Sequence, residues 1–448
     1  MANTYLTRTF GSTPTMTKFT WSGWVKKSKL GTQQAMISGY QNSNTGQLFY
    51  FTGDDKLAYY AQAGGVVKCN VITNAVFKDT SAWYHIMLVV DSTQSNAANR
   101  VKFYVNNVLK SYATTVAHAL NWEAYFMVTV PTQVGRNGMN SSDYFDGVMS
   151  HMHMTHGYLY TPSTFGETDS TTGEWKIKTS PTVNYNSNGF FILKDANTGT
   201  DYSGNSENFS SGGGTLTATK DCPSNVLATL NPLFYASSTY TLLNGNLKTN
   251  GSSSNADRSL YGTIGASSGK YYFETKIDNT NGGDSNNIRI GIVSDDQVVQ
   301  TANNGTFFST SRGYAYYGQD GSKRNSGNTA SYGNTFTTND IIGCAFDLDN
   351  NKIYWSKNGT FQNSGNPTSG STGTGSAYNL ATGYSYLPAI SSYYTNDKVS
   401  INFGNGFFGT TAITTNSGNG YAGAEGASKF NYAVPSGYTA LSTKGLNT

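Results

Sequence analysis

Apolar and polar residues alternate with a period of two along most of this chain. That spacing puts one side of an extended segment in a core and the other side outside it. In residues 19–25, FTWSGWV, Phe19, Trp21, Gly23 and Val25 share one face, and Thr20, Ser22 and Trp24 the other. Residues 83–91, WYHIMLVVD, are more continuously apolar, as in a strand covered on both faces. Residues 100–109 align Val101, Phe103 and Val105 and then reach Asn106-Asn107, a turn signal. The alternation returns past residue 233. Tyr271, Phe273, Thr275 and Ile277 form one row, Ile288, Ile290 and Ile292 a second, and Ile342, Cys344, Phe346 and Leu348 a third. Val399, Ile401 and Phe403 form a fourth, and Asn358-Gly359 is a hairpin turn of the I′ type. No segment carries the 3.6-residue period of an amphipathic helix. Short strands punctuated by turns predict an all-β chain of two antiparallel β-sandwich, jelly-roll-like domains.

Between 203 and 232 the texture changes to Gly, Ser, Asn and Thr, broken by Pro223 and Pro232. The expected division is therefore a sandwich over 1–205, a linker over 206–232 and a second sandwich over 233–448. Residues 210–214 are its most linker-like point, while 225–232 is apolar enough to pack on something.

Composition changes this picture little but excludes several functions. Charged residues are 12% of the chain, against about 25% in an average domain. With 14% aromatic residues and 32 Tyr, the chain is too rich in core-forming side chains to be disordered. Net charge is +3 and the basic residues are scattered, so no nucleic-acid footprint appears. Cys69, Cys222 and Cys344 are too few and too far apart for a disulfide framework or a zinc site. The N-terminus lacks the charged start and apolar run of a secretory signal. No run of about 18 apolar residues predicts membrane insertion.

Several segments carry resemblances. FTWSGWVK (19–26), AWYHIMLVVD (82–91), RVKFYVNNV (100–108) and YFDGVMSHMHMTHG (144–157) resemble concanavalin A-like sandwiches of the laminin-G type. Residues 159–178, 186–196, 201–209 and 223–233 resemble an arrangement found in structural and fibre-like proteins of bacterial viruses, especially marine ones. GKYYFETKI (269–277), RIGIV (289–293), GYAYYGQDGSKRN (313–325), DIIGCAFDLDNNKIYWSKNG (340–359), LPAISSYY (387–394) and VSINFG (399–404) resemble a SPRY domain. Two stretches, 363–379 and 408–431, depart from that pattern.

Together the resemblances imply a bacteriophage virion structural protein: a tail fibre, a spike or a capsid decoration subunit on the virion surface. Other virion proteins and a host-surface glycan or protein are its expected partners, in a homo-oligomer that is a trimer if it forms a fibre. A stand-alone lectin-like carbohydrate-binding protein and a polysaccharide depolymerase are the alternatives.

The SPRY resemblance places a binding loop at Tyr314, Tyr316, Tyr317, Gln319 and Asp320, with Tyr393 and Tyr394 near the end of another strand. Aromatic faces and amides there suit sugar rings, although alternating tyrosines are also ordinary half-buried sheet residues. His151 and His153, at i and i+2, are candidate metal ligands. Calcium, which occurs in concanavalin A-like sandwiches, makes Asp143 and Asp146 candidates, with Asp54-Asp55 in a loop. Otherwise no cofactor is expected. GNGFFG (404–409) matches a phosphate-binding glycine pattern but is not followed by a helix pattern, so a turn is expected. No nucleophile–base arrangement and no Glu-x-Asp-x-Glu run is present, so the expectation is a binding protein and not an enzyme.

Overall fold

In a computed structural model, residues 3–194, 198–233, 240–252, 257–280, 287–298, 306–414 and 420–447 are described. The chain divides into two compact units, 1–218 and 219–448. The all-β expectation holds in both.

In the first unit, two antiparallel sheets face each other. The larger runs, in spatial order, through Tyr112–Val116, Val66–Val76, Lys56–Ala63, Thr45–Phe51, Gln34–Asn42, Pro131–Val134, Tyr5–Thr9 and Ser210–Gly213. The smaller runs through Phe190–Ile192, Gly147–His156, Lys18–Lys27, Tyr84–Asp91, Val101–Val105 and Val108–Lys110. Phe19, Trp21 and Val25 point into the shared core with Phe49, Ile86, Leu88 and Phe103. At the predicted turn, Asn106 and Asn107 hold φ of 47° and 67°, the left-handed pair a I′ hairpin needs.

The outer face of the smaller sheet is covered by the chain itself. Phe165 packs on Met87 and Val89, and a hairpin pairs Gly166–Thr168 with Trp175–Ile177. The Trp175 ring stacks over His85, which stacks on Trp24 from the other side, with centroids 5.9 and 5.1 Å apart. The continuous apolar run at 83–91 is thus explained by burial on both faces.

The second unit repeats the architecture. One sheet runs through Tyr240–Leu243, Lys248–Ser252, Lys398–Asn402, Lys270–Asn279, Ile341–Asp347, Lys352–Lys357 and Thr360–Phe361. The other runs through Arg258–Tyr261, Tyr386–Ser392, Arg289–Ser294, Gly313–Tyr317, Ser322–Asn325 and Asn328–Ser331. The four predicted apolar rows meet in one core with Tyr316 and Trp355. Asn358 and Gly359 take φ of 50° and 83°. The outer face of the first sheet, with Tyr272, Ala345 and Tyr354, lies under Leu227, Phe430, Tyr438 and Ala440.

The expected linker is folded at both ends. Ser210–Gly213 pairs with Tyr5–Thr9, and Leu227, Ala228 and Leu230 are buried. Small residues there are strand and packing positions, not a flexible tether. GNGFFG is a hairpin: Phe407–Phe408 pairs with Thr411–Ala412, and no α-helix follows among the described residues. Of the divergent stretch 408–431, residues 415–419 lie outside the described residues.

Candidate functional site

The loop end of the second unit gathers the chemistry. Across neighbouring strands, Ser391 lies opposite Arg289, and Arg289 opposite Tyr317. The next strand adds Arg324, which lies opposite Ala315 and so shares their face. The Arg324 guanidinium sits 3.9 Å from the Tyr317 ring centroid, and that of Arg289 4.6 Å. Arg289 also lies 5.0 Å from the Phe308 ring. Such cation–π contacts strengthen as water is excluded.

Each member of the stack is held in place. Arg289 donates to Asp257 at 2.6 Å and to the carbonyl of Asn287 at 3.0 Å. The Tyr317 hydroxyl donates to Gln319 and bonds Asn287. Burial pushes the Tyr317 hydroxyl above its ordinary pKa, against the opposing pull of Arg289 and Arg324. At the turn, Asp320 accepts from the Ser322 N–H at 2.9 Å and from Arg324 at 3.4 Å. Partial burial raises its pKa, but these bonds and the Arg324 charge outweigh that and hold the carboxyl below the usual range.

The predicted binding residues therefore separate. Gln319 and Asp320 are exposed at this end, and Tyr393 and Tyr394 are half-buried beyond Ser391, with their rings edge-on at 4.9 Å. Tyr314 and Tyr316 point into the core instead. Tyr316 is 0% exposed, its ring stacks on Trp355 at 5.9 Å, and its hydroxyl donates to the carbonyl of Asn334. The Tyr314 hydroxyl accepts from the Ala381 N–H at 3.3 Å. Strand alternation decides this: residues 314 and 316 share the inner face, 315 and 317 the outer. Arg289 and Arg324 were within the quoted motifs but not singled out. An Arg three residues beyond the Gly318-Gln319-Asp320-Gly321 turn, facing an aromatic strand end, is the available signal.

The candidate metal ligands do not assemble. His153 is buried, stacks on Phe191 at 3.9 Å and hydrogen-bonds Tyr185 through Nδ1 at 2.7 Å. Burial drives its pKa far below the ordinary value, with His151 and His85 adding to the effect. The His151 ring shares that face, 5.6 Å from Phe191, and its Nδ1 bonds Ser150. One Asp143 oxygen accepts from the amides of Gln33, Asn137 and Asn140 at 2.9, 3.0 and 3.1 Å. Three donors occupy the place a cation would take. Asp146 is half-buried, and burial raises its carboxyl, against the pull of Lys29. Asp55 pairs with the fully buried Lys27 at 2.6 Å. Among the described residues no group of three or more His, Cys, Asp or Glu is placed to hold a metal.

Glu274 is a carboxyl strongly perturbed by burial. It is 0% exposed and accepts from the N–H groups of Asn431 and Tyr432 at 2.8 Å each, from Asn402 at 3.2 Å and from Tyr272 at 3.3 Å. Burial still prevails over these bonds and pushes it up to about 7. Its oxygens are committed to fastening the C-terminal segment.

The chain resembles known proteins over parts of its length. Residues 2–159 match the concanavalin A-like lectin/glucanases superfamily, and residues 270–406 match the SPRY domain. The Ran-binding proteins 9/10 homolog of Drosophila melanogaster is 37% identical over 97 residues, which are 21% of this chain and 10% of that protein. Human Ran-binding protein 9 is 38% identical over 97 residues, 21% of this chain and 12% of that protein. The chain thus spans only 10% to 12% of the length of these curated relatives. The crystal structure of the SPRY domain of human HERC1 aligns with 19% identity and a TM-score of 0.30, covering 38% of this chain and 96% of that one.

These relatives correct the functional expectation. They are Ran-binding proteins of a fly and of vertebrates. The bacteriophage reading is withdrawn with its tail fibre, its virion location, its virion and glycan partners and its fibre trimer, and so are the lectin and depolymerase alternatives. No helix among the described residues is long and apolar enough to cross a membrane. The chain combines an N-terminal concanavalin A-like domain with a C-terminal SPRY domain.

Proposed function

We propose that this is a protein-binding protein which docks a partner polypeptide on the loop end of its SPRY domain, without catalysis and without a cofactor. The observation that carries the reading is half-buried Arg324, held over the buried ring of Tyr317 with buried Arg289 beside it, next to exposed Gln319 and Asp320. Arg and Tyr dominate protein-interface hot spots, and side chains already held in place lose little entropy on binding. A non-catalytic role is supported by Glu274, whose oxygens are occupied by structural donors.

The relatives are named for binding Ran, so Ran is the first partner to test. Calorimetric titration of Ran into the full chain is expected to give saturable binding. Arg324→Ala should weaken it at least tenfold, about 1.4 kcal/mol. Absence of binding excludes Ran. Binding that survives both Arg324→Ala and Tyr393→Ala excludes this end of the domain.

A further inference from the structure

A second surface, on the first unit, is independent of that reading. Between Asp55 and Asp79, and again between Asp91 and Glu123, the chain carries no carboxylate side chain. The first stretch holds Lys56, Lys68 and Lys78, the second Arg100, Lys102 and Lys110. The whole chain has a net charge of only +3, so the residues outside these two stretches sum to −3, the difference between +3 and +6.

The strands of the two stretches form one side of the sandwich. Tyr112–Val116 is the edge of the larger sheet and pairs with Val66–Val76. Val108–Lys110 is the edge of the smaller sheet and touches Val66–Val76. Arg100 is buried and spent on the carbonyls of Gln94, Ser95 and His118. The five lysines are exposed or half-buried. None of them meets a carboxylate among the described residues, whereas Lys18, Lys27 and Lys176 of the same unit do.

Aliphatic side chains stand out on the same side. Val66, Val76, Val108, Leu109, Val116 and Leu120 are 36% to 57% exposed. Among the described residues the other exposed large aliphatics are Leu159, Leu233 and Leu446, so the six are concentrated here. They fall into two groups along one edge. Val116 lies opposite Asn70, and the Ala119 N–H donates to the carbonyl of Lys68 at 3.0 Å, which sets Val116 and Leu120 beside Val66 and Lys68. The Asn74 N–H donates to the carbonyl of Ser111 at 3.0 Å, which sets Leu109 and Lys110 beside Val76, itself opposite Lys56. Each group includes a hairpin tip of the same build: a left-handed pair, Gly64-Gly65 or Asn106-Asn107, then two aliphatics, then a lysine. Ala113, Thr114 and Thr115 lie exposed between them, and the whole edge is about 30 Å long.

This combination selects its partner. Strand addition is blunted, because the register slips between Thr114 and Val116 and the Thr115 hydroxyl donates to the Asn70 carbonyl, a bulge of the kind that protects sheet edges. An acidic polypeptide would answer the lysines but leave the valines and leucines of the tips in water. A bilayer with anionic headgroups answers both: aliphatics enter the interface while lysine stems carry their ammonium groups to the phosphates. We propose that this side of the first unit binds the surface of an anionic lipid bilayer, with Val66, Val108 and Leu109 among the headgroups and Lys68, Lys102 and Lys110 against their charges.

The test is co-sedimentation of the full chain with vesicles of phosphatidylcholine, either alone or with about one-third phosphatidylserine. Binding at least tenfold tighter to the phosphatidylserine vesicles is expected, weakening as salt is raised. Lys68→Glu with Lys110→Glu, and separately Val66→Ser with Leu109→Ser, should each weaken it about tenfold or more. These side chains lie at the surface, so thermal melting of both variants should match the parent. Absence of binding to the phosphatidylserine vesicles, or equal binding to the two kinds, overturns the proposal. So does binding that survives the lysine substitutions. Binding that is lost with the lysines but survives the aliphatic substitutions overturns it in favour of an acidic polypeptide.

Discussion

Each unit covers the outer face of one of its sheets with a segment of its own chain, and the two covers are fastened by opposite kinds of titratable group. In the first unit, Trp175 donates through Nε1 to Nδ1 of His85 at 3.0 Å, leaving the ring proton on Nε2 toward Ser22 at 2.9 Å. The base is neutral, and burial holds its pKa down to about 3. In the second unit the fastener is Glu274, an acid pushed up to about 7 by burial. Burial disfavours the charged form in both cases. For a base that means resistance to protonation, for an acid reluctance to ionise. One physical cause thus gives the two units opposite pH responses.

The largest expected effect comes from removing an anchor of the second cover. Phe430 is 0% exposed against Tyr272, and Phe430→Ala should cost about 3–5 kcal/mol. Urea unfolding should show the loss in the second unit's transition and leave the first unchanged.

A pH series separates the covers next. His85 is protonated near its ordinary 6.5 when unfolded and only near 3 when folded. Its contribution is therefore present above pH 6.5 and lost as pH falls toward 3. All five histidines lie in the first unit, and burial likewise lowers His118, to about 4, with an added push from Arg100. Glu274 ionises near 4.5 when unfolded and near 7 when folded. Its penalty is absent below pH 4.5 and complete above pH 7, so stability falls as pH rises through that window. At roughly 1.4 kcal/mol per pKa unit, each slope amounts to a few kcal/mol. Tryptophan fluorescence and hydrogen exchange at the Asn431 and Tyr432 amides should move in opposite directions between pH 4.5 and 7. Glu274→Gln should flatten the second slope alone. Parallel slopes in the two units would show that these groups do not set the pH response.

The smallest effect is Trp175→Phe, which keeps a ring over His85 but removes its N–H donor. The expected loss is about 1 kcal/mol, confined to the first unit and read as a small shift in its urea midpoint.

The contrast between Tyr316 and Tyr317 shows how far the sequence was legible. The SPRY resemblance leads to the strand Gly313–Tyr317, but its candidate contacts include the buried Tyr316 and leave out Arg324. A period of two separates the faces of a strand but does not say which one meets the core. His151 and His153 both meet Phe191 across a register break in their strand. That the surface at His153 is closed by Phe191, Tyr185 and Phe165 depends on segments up to forty residues away.

What the sequence determined by itself was the strand content, the turns at Asn106-Asn107 and Asn358-Gly359 and the four core rows, all of which follow from local spacing and backbone preference. The two domain types were legible only through resemblance to known families. The tertiary structure decided the rest: that Ser210–Gly213 is a strand, that Asp143 is saturated by amides, that Glu274 is sealed without a cation, and that two arginines close on Tyr317. Those outcomes rest on desolvation and on hydrogen bonds between residues far apart in the chain, which only the folded packing brings together.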